Sequence, residues 1–357
     1  MNWRSIRLKW FNREYWPIYL VYSPIFFYWL WLSLRAGSLL FFTASNPAIK
    51  NGGMFGESKK EILDLLPEEL IPNTMLFKPG SDPQAVLQKV TEAKFNFPLI
   101  AKPDIGERGK GVNRLDSGES LARYVEECKA DFLIQEYIDL PLETGIFYIR
   151  MPGSQEGMIT SITLKEMLSI TGNGISTIEE LVSESDRAFL VKNELQEKWA
   201  HKWHMVPATG EEITLQNIGN HCRGTKFLNG ASLKSDKLTA VFDRIAAKIP
   251  GFCYGRFDIR ASSTDHLIQG DFKILELNGA KSEPSHIYDP ELSLSEAYKS
   301  LFWHWKMLYN VSVSNHKQGV AYLTFRNGWQ EFRRFLQHQD LIPGSQIGSS
   351  PAGAEHR

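Results

Sequence analysis

Apolar and polar residues change rhythm along the chain, and the first change is abrupt. From Trp16 to Leu34 the sequence WPIYLVYSPIFFYWLWLSL runs nineteen residues without a charge. Such a run is just long enough to span a bilayer. It also holds Pro17 and Pro24 and is crowded with Trp and Tyr, which prefer the headgroup zone. It lacks the small-residue exit of a signal peptide. Arg4, Arg7, Lys9 and Arg13 precede it, Arg35 follows it, and Leu39 to Phe42 forms a second apolar piece. The pattern predicts a segment that lies on a membrane or re-enters it. The alternative is a hydrophobic helix docked on the protein or on a dimer partner.

A polar stretch from Thr43 to Lys60 follows and reads as loop, with Asn51-Gly52-Gly53 as a turn. Glu57 to Leu66 fits a short helix, and Pro67 and Pro72 then break the chain. Asp82 to Glu92 fits a second helix, with Val86, Leu87 and Val90 on one face. From here the chain alternates regularly. Short apolar runs at Phe97 to Pro103, Phe132 to Ile138, Gly145 to Met151 and Met158 to Leu164 predict strands. Helical spacing covers Ser117 to Ala130 and roughly Ile178 to Trp199. Asp236 to Ile249 places Leu238, Val241, Phe242, Ile245 and Ile249 on one face and stops at Pro250-Gly251. Tyr254 to Arg260 and Phe272 to Leu277 predict the last core strands. This mix predicts an α+β fold of antiparallel sheets with helices on one side. No internal repeat appears. Beyond it, Val320 to Phe325 is strand-like, Gln330 to His338 helix-like, and Pro343 to Arg357 has the composition of a disordered tail.

Composition narrows the class. The 357 residues suffice for one large domain or two ordinary ones, and 43% apolar and 23% charged residues are normal for a packed globular protein. A net charge of −1 gives no electrostatic reason to expect nucleic acid as partner. Cys128, Cys222 and Cys253 are far apart and odd in number, without metal or disulfide spacing, which fits a reducing compartment and small buried side chains.

Two constellations carry chemistry. Lys102 stands just before Ile105-Gly106-Glu107-Arg108-Gly109-Lys110-Gly111-Val112. Three glycines in six residues let backbone N–H groups approach phosphate oxygens, and Lys102, Arg108 and Lys110 add positive charge. No Gly-Lys-Ser/Thr opens a helix, so this is not a P-loop, and a Gly-rich hairpin tip would look alike. The second constellation is Asp258, in Gly255-Arg256-Phe257-Asp258-Ile259-Arg260, with Glu276 and Asn278, in Ile274-Leu275-Glu276-Leu277-Asn278. Strand alternation sends Glu276 and Asn278 to one face. Two carboxylates and an amide oxygen are hard ligands suited to Mg²⁺. An exposed strand face is the plainer alternative.

Taken in order and spacing, these residues resemble the ATP-grasp superfamily, nearest to ligases of the D-alanine–D-alanine ligase, glutathione synthetase and cyanophycin synthetase type. The resemblance covers residues 90 to about 300. It implies two lobes with antiparallel sheets clasping ATP. It places Lys102, Gly106, Gly109, Lys110 and Gly111 at the phosphates and makes Phe132 to Ile138 the hinge strand, where Gln135, Glu136, Tyr137 and Ile138 hold the adenine edge. Glu143, seven residues past Glu136, would take the ribose hydroxyls. Lys165 would be a further phosphate ligand, and Arg256 would stabilise charge at the transferring phosphoryl group. Arg223, in Asn220-His221-Cys222-Arg223-Gly224, would share that work or take a substrate carboxylate. Asp258, Glu276 and Asn278 would hold Mg²⁺. Thr171 to Leu181 (TGNGISTIEEL) looks like the family's Gly-Asp-Gly-x-x-Thr-Ile-x-Glu-Leu segment, with Asn173 in place of Asp.

The chain departs from that pattern in two places. The α/β domain that usually precedes the core is replaced by a short stretch, half of it aromatic. After Asn278, Gly279-Ala280-Lys281-Ser282-Glu283-Pro284-Ser285-His286 matches no specificity loop. The expected organisation is therefore an aromatic anchor over 1–45, a linker over 46–89, a catalytic core over 90–312 and an extension over 313–357. The implied activity is phosphorylation of a carboxylate, small or lipid-linked, to an acyl phosphate that an amine or other nucleophile attacks. Since ATP is cytosolic and a basic N-terminus stays inside, a cytoplasmic protein resting on the inner face of the membrane fits better than a single crossing. The docked-helix alternative allows a homodimer. Two rivals share the ATP residues: an ATP-grasp kinase that stops after phosphorylation, and a non-catalytic ATP-binding membrane protein.

Overall fold

The computed structural model describes residues 3–107, 109–216, 219 and 224–342. The chain is α+β, as its alternation predicts. It begins with helices α1 (Trp3–Phe11) and α2 (Ile18–Ala36). There follow α3 (Lys59–Leu63), β1 (Thr74–Phe77), α4 (Pro83–Glu92), β2 (Leu99–Pro103), β3 (Asn113–Leu115), α5 (Gly118–Glu127) and β4 (Phe132–Glu136). Next come β5 (Leu142–Arg150), β6 (Gly157–Glu166), β7 (Ser169–Thr171), α6 (Ile178–Glu184), α7 (Asp186–Phe189), α8 (Lys192–Lys198), β8 (Glu212–Thr214) and β9 (Lys226–Asn229). The chain continues through α9 (Asp236–Lys248), β10 (Tyr254–Ala261), α10 (Thr264–Gln269), β11 (Phe272–Asn278), α11 (Leu294–Lys317) and α12 (Phe325–Gln339).

These elements form two compact units, Met1–Met54 with Leu140–Leu323, and Phe55–Asp139 with Thr324–Arg357. The smaller unit holds an antiparallel sheet in the order β1-β4-β2-β3. Its core joins Leu99, Ala101, Phe132 and Ile134 from the strands to Val86, Val90, Leu121, Tyr124 and Val125 from α4 and α5. Both helices start where their sequences mark a cap. Asp82 accepts from the Ala85 N–H, and Ser117 forms a capping box with Ser120.

The larger unit holds a five-stranded antiparallel sheet, β11-β10-β5-β6-β9. Alternation along β10 sends the fully buried Phe257 to one face, where Phe242 of α9 packs at 5.2 Å. Phe242 also stacks on Phe272 of β11 at 5.7 Å. Arg256, Asp258 and Arg260 therefore point to the opposite face. A satellite core of Leu168, Ile170, Ile178, Val182, Leu195 and Trp203 ties α6 to α8 to the small β7-β8 ladder.

Two local expectations change. The segment Ile178 to Trp199 is not one helix: Ser185 leaves helical geometry (φ −73°, ψ 117°) and its side chain caps α7 through the Ala188 N–H. A serine hydroxyl that serves the backbone competes with helix continuation. The run Val320 to Phe325 forms no strand; Thr324 accepts from Asn327 N–H and starts α12 at Phe325. The polar stretch after Phe42 is loop with short turns, as expected, and much of it is buried. The Asn46 carboxamide accepts from the N–H groups of Cys253 (2.9 Å) and Tyr254 (3.0 Å) and donates to the carbonyls of Gly52 (2.9 Å) and Tyr254 (2.8 Å).

The aromatic N-terminal run forms α2, and among the described residues no helix is long and apolar enough to cross a membrane. Its two faces differ. Ile25 is buried in a cluster with Ile287, Ala297 and Leu301, and Tyr28 packs edge-on against Phe302 of α11 at 5.0 Å. Tyr19, Phe26, Phe27, Trp31 and Leu34 point outward, from 48% to 83% exposed. Of the basic residues before it, Arg4 donates to Ser183 O and Asp186, and Arg13 to Asp289 O. Those two cations are engaged within the unit, which leaves Arg7 and Lys9 as the exposed ones of the set.

Candidate functional site

One face of the five-stranded sheet carries a row of alternating charges. Antiparallel register sets Glu143 of β5 opposite both Lys165 of β6 and Arg260 of β10. Glu143 Oε1 accepts from Lys165 Nζ at 3.0 Å, and Oε2 from Arg260 Nε at 2.9 Å and Nη2 at 2.8 Å. Lys165 Nζ lies 3.4 Å from Asp258 Oδ1. Asp258 then takes a two-pronged bond from Arg256, Nε to Oδ1 at 3.1 Å and Nη2 to Oδ2 at 3.0 Å. The order is Arg260, Glu143, Lys165, Asp258, Arg256, and each charge is flanked by its opposite. Burial alone would push the Glu143 and Asp258 carboxyls up, but Lys165 and Arg260 on the first, and Arg256 and Lys165 on the second, hold both below their ordinary values. Burial would likewise lower Lys165, and Asp258 and Glu143 outweigh it, so its ammonium is stabilised.

The row has room because of two glycines. A Cβ on Gly145 would sit 3.2 Å from both Arg256 Cδ and Asp258 Oδ1, in the space the ion pair occupies. A Cβ on Gly219 would fall 2.2 Å from Glu143 Oε1, so backbone closes over that carboxylate. Across the strands from Asp258 and Gly145 lies Thr163, whose buried hydroxyl has no hydrogen-bond partner among the described residues.

Glu276 and Asn278 extend the row onto β11. Glu276 is paired in register with Asp258, and Asn278 with Arg256, so all four share a face. Asn278 Nδ2 donates to Asp258 Oδ2 at 3.2 Å. Among the described residues no cluster of three or more His, Cys, Asp and Glu has the arrangement of a metal site; the set here is two carboxylates and one amide.

The segment after Asn278 is built around Arg256. Its Nη1 donates to Ser285 Oγ at 2.7 Å and to Glu283 O at 3.2 Å. The Glu283 carboxylate accepts from the hydroxyls of Tyr22, on α2, at 2.6 Å and Tyr288 at 2.9 Å. Behind, Gly52 O and Gly53 O accept from Ala280 N and Lys281 N at 2.9 and 3.0 Å, and the Gly53 and Gly279 backbones meet too closely for side chains. Two histidines sit beside β6. His286 Nδ1 lies 2.6 Å from Ser161 Oγ and His304 Nε2 2.9 Å from Thr160 Oγ1. Burial pushes them down to about 4 and about 3, so both rings are neutral at pH 7.

In the smaller unit, Lys102 is buried on β2 and donates to Gln135 Oε1 on β4 at 2.9 Å, across the register that pairs these strands. Gln135 Nε2 donates to Thr74 Oγ1 at 2.8 Å. Gly109 and Gly111 adopt φ of 70° and 66°, the left-handed region their sequence positions anticipate. Gly106 O accepts from Lys59 Nζ at 2.7 Å, and a Cβ on Gly111 would lie 2.8 Å from Ile342 and Pro103. Glu136 accepts from Asn73 Nδ2 at 3.3 Å, and Arg114 lies over the Tyr137 ring at 4.9 Å.

No family model matches the chain, and no curated protein matches it. Among solved structures it is similar to a bifunctional glutathione synthetase from Pasteurella multocida, with 16% identity and TM-score 0.36 over 71% of this chain and 38% of that one. It is also similar to D-alanine–D-alanine ligase from Bacillus anthracis, with 14% identity and TM-score 0.43 over 73% and 69%. A third is the ATP-grasp ligase PsnB complexed with a minimal precursor, with 16% identity and TM-score 0.34 over 69% and 60%. The chain thus spans less than two thirds of the first and third of these.

Of the residues expected to act, the structure brings Glu143, Lys165, Arg256, Asp258, Glu276 and Asn278 onto one sheet face. It gathers Lys102, Gly106, Gly109, Lys110, Gly111, Gln135, Glu136, Tyr137 and Ile138 within the smaller unit. Arg223, with its neighbours His221 and Cys222, lies outside the described residues, as do Arg108 and the tail from Pro343. Cys128 and Cys253 are buried free thiols. Sequence reasoning missed Arg260, Gly145 and Glu283. The signal for Arg260 was present, since strand alternation puts it on the face of Arg256 and Asp258.

Proposed function

We propose that this chain is an ATP-grasp ligase that phosphorylates a carboxylate with Mg-ATP and joins the resulting acyl group to an amine or other nucleophile. The observation that carries this proposal is the buried row Arg260–Glu143–Lys165–Asp258–Arg256, ending at Glu276 and Asn278. Burying ions costs several kcal/mol each, and well-packed apolar residues often give a more stable protein. Five charges on one face, three buried and two half-buried, are better explained by a highly charged ligand such as a polyphosphate. The hard oxygen donors Asp258, Glu276 and Asn278 fit Mg²⁺ by their chemistry, and the unpartnered Thr163 hydroxyl marks polar space across the sheet from Asp258. These three residues would hold the ion, which supplies charge neutralisation at the phosphate oxygens when bound.

The chain's own residues do the rest. Lys165 and Arg256 keep Asp258 ionised and present cationic charge to the transferring group, with Arg223 as a further cation in this assignment. Lys102, oriented by Gln135, holds phosphate oxygens with Gly106, Gly109, Lys110 and Gly111. Gln135, Glu136, Tyr137 and Ile138 hold adenine, and Glu143 takes the ribose. The acceptor carboxylate oxygen bonds to the γ-phosphorus as the bond to ADP breaks. The nucleophile then bonds to the acyl carbon, phosphate leaves, and the nucleophile gives up its proton. The core over residues 90–312 carries this chemistry. The exposed aromatic face of α2 rests on the inner membrane surface, where lipid-linked acids or amines are at hand.

The test is a thermal-shift screen of the full chain with Mg²⁺ and a non-hydrolysable ATP analogue, followed by acids and amines. A bound ligand raises stability by RT ln(1 + [L]/Kd). Wild type should shift with the analogue, and Asp258→Asn with Lys165→Ala should not. Absence of any shift in wild type overturns the proposal. Release of phosphate only when a nucleophile is present marks a ligase, and a phosphorylated end product marks a kinase.

A further inference from the structure

We propose that α12 is a lipid-contact surface of its own, an in-plane helix for membranes bearing anionic headgroups. It is independent of the nucleotide chemistry and of α2. Phe325, Trp329, Phe332 and Leu336 are 68%, 54%, 37% and 41% exposed. Their spacing of four, three and four residues puts them on one narrow stripe of the helix. The flank next to the stripe faces its own unit: Gly328 and Gln339 are buried, Phe335 meets Gly56, and Phe332, at the edge of the stripe, packs on Phe55 at 5.9 Å. A helix of fifteen residues with large exposed aromatics beside exposed arginines is typical of a segment that lies in the interface plane.

Charge selects the partner. Arg326, Arg333 and Arg334 are exposed on α12, and its one acid, Glu331, already accepts from Arg334 at 2.7 Å. At about 100° per residue, Arg326 and Arg333 both fall about a quarter-turn from the stripe, on the same flank. A second copy of this helix would set those arginines against arginines with no acid to receive them, which disfavours a symmetric pairing. Anionic phosphate headgroups are the complementary partner, and the arginine stems can lie along the acyl boundary while the guanidiniums reach them.

The test is co-sedimentation of the full-length protein with vesicles of phosphatidylcholine alone and of phosphatidylcholine with phosphatidylglycerol. The variants are W329S/F332S, R326E/R333E and the conservative R326K/R333K, all in an F26S/F27S/W31S background so that α2 does not mask the effect. Affinity for the anionic vesicles should fall about tenfold or more in R326E/R333E and in W329S/F332S, and stay near the background level in R326K/R333K. Brominated lipid should quench more fluorescence when Trp329 is present than in W329F. If W329S/F332S fails to fold, the charge-reversal variant, which changes only exposed side chains, decides. Unchanged vesicle binding in R326E/R333E overturns the proposal. So does a wild-type dimer in light scattering that W329S/F332S converts to monomer, which would assign the stripe to a second copy. Nucleotide binding is a separate readout, so either outcome leaves the ligase assignment to its own test.

Discussion

Glu276 is half-buried opposite Asp258, where the proposed site calls for a carboxylate. Glu276→Gln keeps volume and removes charge, so turnover should vanish while the fold survives in a melting curve. Full activity in this variant would take Glu276 out of the site. The histidines make the opposite kind of prediction. His286 and His304 are held neutral in the fold, at about 4 and about 3, against 6.5 unfolded. Below pH 6.5 the unfolded chain takes up protons that the folded one refuses, so stability falls as pH drops toward 4. Asp258 and Glu143 are shifted the other way relative to their charge: their contribution persists above the ordinary carboxylate range and is lost only as pH falls through their lowered values. Between pH 7 and 5 the histidines should therefore set the slope. Melting curves across that window should show it, and H286N should flatten it.

At the scale of elements, the glycine loop and α2 give the sharpest expectations. Gly109 sits at φ 70°, where a β-branched residue is strained and where a side chain would intrude on any phosphate cradled by the loop. Gly109→Val should raise the apparent KM for ATP and lower kcat, and an unchanged ATP titration would place the nucleotide elsewhere. For α2, the sequence suggests a removable anchor, so that cutting residues 1–42 would free the protein and preserve ATP binding. The structure adds what the inner face of that segment packs on. The inner face of α2 buries Ile25 and Leu32, and Tyr22 donates to Glu283, beside Arg256. Each large apolar side chain removed from a core costs about 2–5 kcal/mol. The truncation should unfold or badly weaken the larger unit. F26S/F27S/W31S, which touches only the outer face, should leave the melting temperature alone and weaken membrane association to whatever α12 supplies. If that variant and wild type fractionate alike, the outer face has another purpose.

At the scale of the whole molecule, chain order and spatial order diverge. The smaller unit is closed by α12, which arrives after the larger unit is complete, and Phe55 packs against Phe332 at 5.9 Å. Cutting after Leu323 should therefore raise hydrogen exchange across residues 55–139 and leave β5, β6 and β10 protected. Equal protection in both units would mean that α12 adds nothing to the smaller core.

What was legible in the sequence was whatever neighbours in the chain decide. The helices at Pro83–Glu92, Gly118–Glu127 and Asp236–Lys248 follow from caps at Asp82, Ser117 and Ser235 and from apolar spacing. Alternation in Glu276-Leu277-Asn278 was enough to put that acid and amide on one face, and in Arg256-Phe257-Asp258 to put Arg256 with Asp258; the register of β10 with β11 joins the two sets. Strands of three or four residues, such as β3, β7, β8 and β9, are too short to show a period; β3 and β9 form because the longer β2 and β6 offer an edge, and β7 and β8 pair with each other. The partners of the site residues were not legible at all. Glu143 meets Arg260 across 117 positions, and Tyr22 meets Glu283 across 261. Local propensity carries no record of such pairs. Registers between distant strands and the close approach of glycine backbones fix them, and only the packed sheet sets those registers. The sequence by itself determined which residues carry charge toward one face. The tertiary structure decided which of those charges neutralise one another, because opposite charges must be close to offset the cost of leaving water.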